Sequence, residues 1–274
     1  MKQKVKTILK TIFLISTVLT MAMFWFNQGK PYIESVDCPT GSNIALIKIQ
    51  GSIATYPTET FYAEEIELMP TGSVSSEKIS AYLDEIEKDD NIKGIIVEID
   101  SPGGSPVASE EIMDALKRAI KPTVAVIRGH GASGGYLIAS GADIIFASEM
   151  SDVGGIGVTM SYLDYSQQNE YEGIIYQQLS SGKFKDAGAP DKELTTEERE
   201  LYMRDVIKLH NIFVENIAVN RNLDIEIVEE LADGSTMLGQ DAKENGLIDV
   251  IGSIYDAQEW LSDKLDIEPK VCVY

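Results

Sequence analysis

From residue 44 onward, short apolar runs alternate with longer stretches whose apolar residues recur at helical spacing. "IALIKIQG" (44–51), "IKGIIVEID" (92–100), "PTVAVIRG" (122–129) and "DIIFAS" (143–148) predict strands, too apolar to expose one face to water. Between the first two, "SSEKISAYLDEIEKDD" opens with a serine cap and repeats Ile79, Leu83 and Ile86 along one helical face. Ile112, Leu116 and Ala119 repeat in the same way. "GIIYQQL" (173–179) reads as strand-like, and a polar loop follows over 180–194. "TTEERELYMRDVIKLHNIFVENIAVN" predicts a long helix with a capping-box start at Thr195 and Glu198. Two shorter helices and a strand in "LIDVIG" complete the pattern, while 52–74, with Pro57 and Pro70, predicts no firm element. Helices alternating with short apolar strands imply an α/β fold with a largely parallel sheet. The chain shows no internal repeat.

The first 30 residues break this pattern. Lys2, Lys4, Lys6 and Lys10 precede an uncharged stretch from Thr11 to Asn27 that ends in the aromatic run "FWF". Its length is near the minimum for crossing a bilayer, and no small-x-small cleavage site follows. The expectation is an uncleaved transmembrane signal anchor over residues 1–27 with its lysine head. A polar linker follows at 28–42, then an extracytoplasmic domain at 43–274, with the lysines kept cytoplasmic. The formal net charge is −21, and because residues 1–30 hold five lysines and no acid the remainder carries −26, which repels phosphate backbones and argues against nucleic-acid binding. Cys38 and Cys272 are the only cysteines, too few for a metal site, and leave free thiols or one disulfide as the choices.

The candidate chemistry sits in "GHGASGGYLIASG" (129–141), where glycines crowd Ser133 at the point where a strand gives way to a helix. Gly134 and Gly135 would expose backbone N–H groups at a helix start, suited to a developing oxyanion. "DSPGG" (100–104) ends a neighbouring strand in the same manner, and Gly104 can present a second N–H with no side chain in the way. A Gly-x-Ser-x-Gly elbow ordinarily needs a later histidine. The only later one, His210, lies in the middle of the long helix, and His130 reads as a strand-end residue, so a histidine triad fits poorly. A neutral lysine is the alternative base; bringing an ammonium from about 10.4 to near 7 takes about 4–5 kcal/mol of differential environment, which burial can supply. Lys183 and Lys185 in "SGKFKDAGAP" are the candidates.

"DSPGG", "GASGGYLIAS", "SGKFKDAGAP" with "LTTEERE", and "ADGSTMLGQDAKENGLIDVIG" together resemble, in order, the bacterial signal peptide peptidase A family. The resemblance covers roughly residues 44–265. It implies the Clp-protease/crotonase-like fold and a membrane-anchored serine protease with a Ser-Lys dyad. By position, Ser133 is then the nucleophile and Lys185 the general base, with Gly104 and Gly134 holding the oxyanion; Lys183 falls on a variable position. It also implies homo-oligomers whose dyad is assembled between neighbouring subunits. Expected substrates are remnant signal peptides or other membrane-associated or unfolded segments, with no metal or organic cofactor. One departure stands out. The family usually reads Gly-Ser-Ile/Leu-Gly where this chain has "GGIG" (154–157), so the serine that helps orient the lysine is replaced by Gly155. Two rivals share the fold: a crotonase-type acyl-CoA enzyme, which an extracytoplasmic location disfavours, and a membrane-anchored scaffold without catalysis, motivated by Gly155.

Overall fold

The computed structural model describes residues 38–56 and 73–274, and residues 36–274 form one compact unit. The expected anchor and most of the linker lie outside the described residues. Among the described residues no helix is long and apolar enough to cross a membrane.

Ten strands and eight helices are present among the described residues. The strands are β1 (Ile44–Gln50), β2 (Ser52–Ala54), β3 (Ser73–Ser75), β4 (Gly94–Ser101), β5 (Thr123–Ala132), β6 (Ile144–Ala147), β7 (Asp152–Gly154), β8 (Thr236–Leu238), β9 (Val250–Ile251) and β10 (Val271–Val273). The helices are α1 (Ser76–Lys88), α2 (Pro106–Arg118), α3 (Gly134–Ser140), α4 (Ser166–Glu172), α5 (Thr196–Arg221), α6 (Ile225–Leu231), α7 (Gly239–Glu244) and α8 (Ile254–Leu265). The main sheet runs β10-β1-β4-β5-β6-β9, with every pair along that path parallel. This is the α/β, largely parallel architecture that the alternating pattern predicts.

The first halves of the central strands are almost wholly apolar because helices cover both sides of them. On one face Leu46, Ile96, Val124, Val126 and Phe146 pack against Ala257 and Leu261 of α8. Alternation turns Val97 and Ala125 to the other face. There α3 lies on β4 and β5, and packs against α2, which in turn meets α1. Local signals hold where they were strong. The Ser75 side chain caps α1 by accepting from the Lys78 N–H, and Thr195 and Glu198 form the capping box of α5.

Three features differ from the sequence reading. Residues 174–180 are not a strand: Ile175 and Leu179 are exposed and no neighbouring strand pairs with them. "LIDVIG" contributes only the two-residue β9. The Leu247 carbonyl accepts from the buried Tyr136 hydroxyl at 2.8 Å, and Asp249 takes the Arg221 guanidinium at 2.6 Å. Burial pushes the Tyr136 phenol up, well out of its ordinary range. The cysteines, left open by sequence, are joined: Cys38 and Cys272 form a disulfide with their Cα atoms 5.1 Å apart, linking the segment before β1 to the edge strand β10.

What matters for function is the length of β5. Its first half pairs with β6 (Val124–Ile127), but it runs on past the end of β6 and pairs with β7 from His130 to Ala132. The protruding end delivers Ser133.

Candidate active site

Ser133 stands between β5 and α3 with φ 51° and ψ −123°. A non-glycine residue held there stores roughly 1–3 kcal/mol, which the surroundings must impose. They do so through both of its backbone groups. Its N–H donates to the Gly154 carbonyl of β7 at 2.8 Å, and its carbonyl accepts from the Leu137 N–H of α3 at 3.0 Å. The hydroxyl caps no helix N–H, although Ser133 occupies the N-cap position. It faces a cavity of about 240 Å3 instead.

Two backbone donors converge on the same cavity. As the first residue of α3, Gly134 has no carbonyl one turn back to accept its N–H. Gly104 makes a parallel bridge with Ile53 of β2. That bridge uses the Gly103 carbonyl, which accepts from Ile53 at 3.0 Å, and the Ser105 N–H, which donates to Ile53 at 2.8 Å. The Gly104 N–H is left pointing away from β2, toward α3. The two strand ends touch along their backbones: a Cβ on Gly103, which sits at φ +100°, would lie 2.7 Å from the Gly134 nitrogen. A Cβ on Gly134 would overlap Ser109 Oγ and lie 3.4 Å from the Gly104 nitrogen; one on Gly104 would overlap the Ile53 backbone. Val107, Leu137, Leu209, Ile212 and Phe213 make the rest of the cavity wall largely apolar.

A serine on a strained strand-to-helix turn, beside two free backbone N–H groups and an apolar cavity, has the layout that acyl transfer needs. The sequence matches the profile of peptidase family S49 over residues 115–268 and that of Clp protease over 59–151. The chain belongs to peptidase family S49. It is 35% identical over 195 residues to a candidate protease of Methanocaldococcus jannaschii, covering 70% of this chain and 63% of that one. It is 33% identical over 225 residues to a candidate signal peptide peptidase of Enterococcus faecium, covering 81% and 63%. A chloroplastic serine protease of Arabidopsis thaliana is 29% identical over 229 residues, covering 82% of this chain and 32% of the relative. The aligned part of the chain thus spans less than two thirds of the length of each of these three relatives.

Within this S49 fold, Ser133, Gly104 and Gly134 come together as the sequence predicts, and the lysines do not join them. Neither Lys183 nor Lys185 is among the residues lining the Ser133 cavity. Lys183 is tied up locally, 3.5 Å from Glu197 and over the Phe184 ring. Lys185 is exposed, on a stretch from Thr159 to Lys185 in which nearly every residue is exposed, including Leu163, Tyr171, Ile175 and Leu179. Neither histidine lines the cavity, although Leu209 and Ile212 on either side of His210 do. No cluster of three metal-ligating side chains occurs among the described residues.

The loop that carries Lys185 is nonetheless fixed, by residues that sequence reasoning passed over. Asp186 Oδ1 accepts from Gln178 at 2.6 Å and Asp186 Oδ2 from the Tyr176 hydroxyl at 3.1 Å. The Lys192 ammonium lies 3.9 Å from Asp186 and 2.5 Å from the buried Glu198 carboxylate. The Tyr202 hydroxyl donates to the Ala187 carbonyl at 2.6 Å. The bond to Glu198 holds Lys192 above its ordinary value, and the same bond, with the Thr195 N–H, holds Glu198 below its own. Lys192 is therefore a fixed cation and not a base. Its one sequence signal was its place six residues before a capping-box glutamate. The Gly154 carbonyl, which holds Ser133, carries no side-chain signal at all.

Gly155 sits at φ +59°, in the left-handed region that suits glycine, and its N–H donates to the Ser235 carbonyl at 3.0 Å. A side chain there would have its Cβ 3.3 Å from both the Ser133 nitrogen and the Thr236 methyl. The backbone of this chain accounts for glycine at the position where the resemblance leads one to expect serine.

Proposed function

We propose that this protein is a serine endopeptidase in which Ser133 is the nucleophile, Gly104 and Gly134 stabilise the oxyanion, and Lys185 of a neighbouring copy is the general base. The observation that carries it is Ser133 itself: a strained, uncapped hydroxyl on an apolar cavity, next to two unspent backbone donors. The neutral lysine takes the Ser133 proton as Oγ attacks the peptide carbonyl carbon. The oxyanion is received by the two N–H groups. The C–N bond breaks as the lysinium returns its proton to the leaving amine. Water then attacks the acyl-enzyme, giving a proton to the lysine, and the serine regains its own as the carboxylic acid departs.

The neighbouring copy accounts for two observations at once. A lysine works as a base when burial disfavours its ammonium form, and Lys185 is exposed in the single chain. The exposed apolar residues around it, Ile175, Leu179 and Phe184 among them, are the kind of surface that a second copy buries.

The substrates follow from the cavity and from the family resemblance: unfolded or membrane-associated segments with apolar side chains, remnant signal peptides among them. The uncharged stretch Thr11–Asn27 anchors the chain in the membrane and places the peptidase domain outside the cytoplasm. A disulfide between Cys38 and Cys272 accords with an oxidising compartment. The direct test is treatment of the full chain with a fluorophosphonate, followed by peptide mapping. A phosphonyl adduct on Ser133, missing in Ser133→Ala, supports the assignment; a folded oligomer with no adduct on Ser133 contradicts it.

A further inference from the structure

The end of β5 is irregular, and the side chains that make it so lie outside the Ser133 cavity. Ile99 pairs with Ile127 and Ser101 with Gly131, so β5 takes four steps where β4 takes two. Such a bulge leaves a peptide unpaired and bends the strand, and bulges beside active sites re-aim the residues that follow. Here the unpaired peptide has a partner from a side chain: the His130 N–H donates to Asp100 Oδ1 at 3.0 Å. The approach depends on glycine at the previous position, since a Cβ on Gly129 would lie 2.9 Å from the same oxygen.

The His130 imidazole then bridges outward. Its Nδ1 is 3.6 Å from Asp100 Oδ1 and its Nε2 is 3.6 Å from Asp152 Oδ2. Asp152 opens β7, the strand whose Gly154 carbonyl holds the Ser133 N–H. Asp100 directly precedes Ser101, whose Oγ accepts from the Gly103 N–H at 3.1 Å and donates to the Gly51 carbonyl at 2.7 Å, shaping the turn that presents Gly104. One carboxylate and one imidazole thus connect the three segments that set the oxyanion donor, the nucleophile and the nucleophile's anchor.

We propose that Asp100 and His130 are positioning residues for Ser133, fixing the β5 bulge and with it the angle at which the nucleophile leaves the strand. The proposal rests on the reading of Ser133 as nucleophile. Fold stability does not explain the arrangement. The side chains of His130, Asp100 and Asp152 are 59%, 45% and 44% exposed, and charge pairs this open to water contribute little. Geometry does, because a nucleophile displaced by about 1 Å can lose about 100-fold in rate.

The test compares Asp100→Ala, Asp100→Asn, Gly129→Ala and Ser133→Ala in the full chain, reading kcat and KM on an unfolded, apolar-rich polypeptide and the rate of phosphonylation by a fluorophosphonate. Asp100→Ala is expected to lower kcat and phosphonylation about 10- to 100-fold, with KM kept within about twofold. Asp100→Asn retains an oxygen acceptor for the His130 N–H and is expected to recover most of that loss. Gly129→Ala, which drives the carboxylate off the His130 N–H, is expected to reproduce the Asp100→Ala kinetics, and it carries the test if Asp100→Ala fails to fold. Wild-type kcat in Asp100→Ala or in Gly129→Ala, with Ser133→Ala inactive, overturns the positioning role alone. Equal losses in Asp100→Ala and Asp100→Asn also overturn it. Wild-type activity in Ser133→Ala removes the nucleophile assignment and the positioning role together.

Discussion

The Ser133 N–H donates to the Gly154 carbonyl at 2.8 Å, so the backbone of Ser133 is held by β7 and not by either strand flanking the first half of β5. This bond helps hold Ser133 at φ 51°. A glycine reaches that conformation without a side-chain clash. Ser133→Gly is therefore expected to be more stable than Ser133→Ala by about 1 kcal/mol, while both lose peptidase activity. Chemical denaturation of the two variants checks this. Equal stability would mean that the turn stores no strain.

Gly104 faces Ile53 so closely that a methyl group overlaps the β2 backbone. Gly104→Ala must shift the turn and withdraw its N–H from the oxyanion position. The expected loss in kcat is about 100- to 1000-fold, the size associated with one oxyanion donor. Phosphonylation of Ser133 should slow in parallel, since its intermediate uses the same donors.

The Lys192–Glu198 pair gives the Lys185 loop an acid sensitivity. Glu198 lies below its ordinary value of 4.5 because Lys192 bonds its carboxylate. A carboxyl lowered by folding contributes stability above its unfolded value, and that contribution disappears as the pH falls through the lowered folded value. Thermal melts of the wild type and Glu198→Gln should thus differ most near neutral pH and converge in acid below 4.5. A constant difference across that range would remove the pair as the cause.

Much of this molecule was legible in its sequence, and what was not had a common cause. The strands β1, β4 and β5, the cap at Ser75 and the capping box at Thr195 follow from local patterns, and each is present. Ser133 could be found because glycines around a serine at a strand-to-helix junction leave a local trace. The short strands β2, β3, β7, β8 and β10 left none, since each exists only through a partner distant in sequence; β7 pairs with β8 across residues 154 to 236. "GIIYQQL" shows the converse error: its apolar residues resemble a strand but stand on an exposed stretch of the single chain. Asp186 and Lys192 were missed because a charged loop residue looks solvated until its partners are placed around it, and Asp100 because a carboxylate at the end of a strand does too.

The disulfide joins positions separated by 234 residues. Cross-links that close long loops restrict the unfolded chain the most in the chain-entropy account, and removing one from a native domain commonly costs about 2–5 kcal/mol. Cys272→Ser should lower the unfolding free energy by an amount in that range and bring the denaturation midpoint down with it, and thiol reductant should do the same to the wild type while leaving Cys272→Ser unchanged. A midpoint indifferent to reductant would show that the cysteines are unpaired in the purified protein.

The claim that Ser133 of one copy uses Lys185 of another is tested most directly by mixing two dead variants. Ser133→Ala and Lys185→Ala, each expressed alone, should fail to cleave an unfolded, apolar-rich polypeptide, while Lys183→Ala should cleave it normally. Co-expressed in equal amounts, the two inactive chains should regain about a quarter of wild-type activity, because in a head-to-tail ring that fraction of sites pairs an intact serine with an intact lysine. Mixed oligomers that form and remain inactive would contradict a dyad shared between copies, and cleavage by Lys185→Ala alone would remove Lys185 from the chemistry.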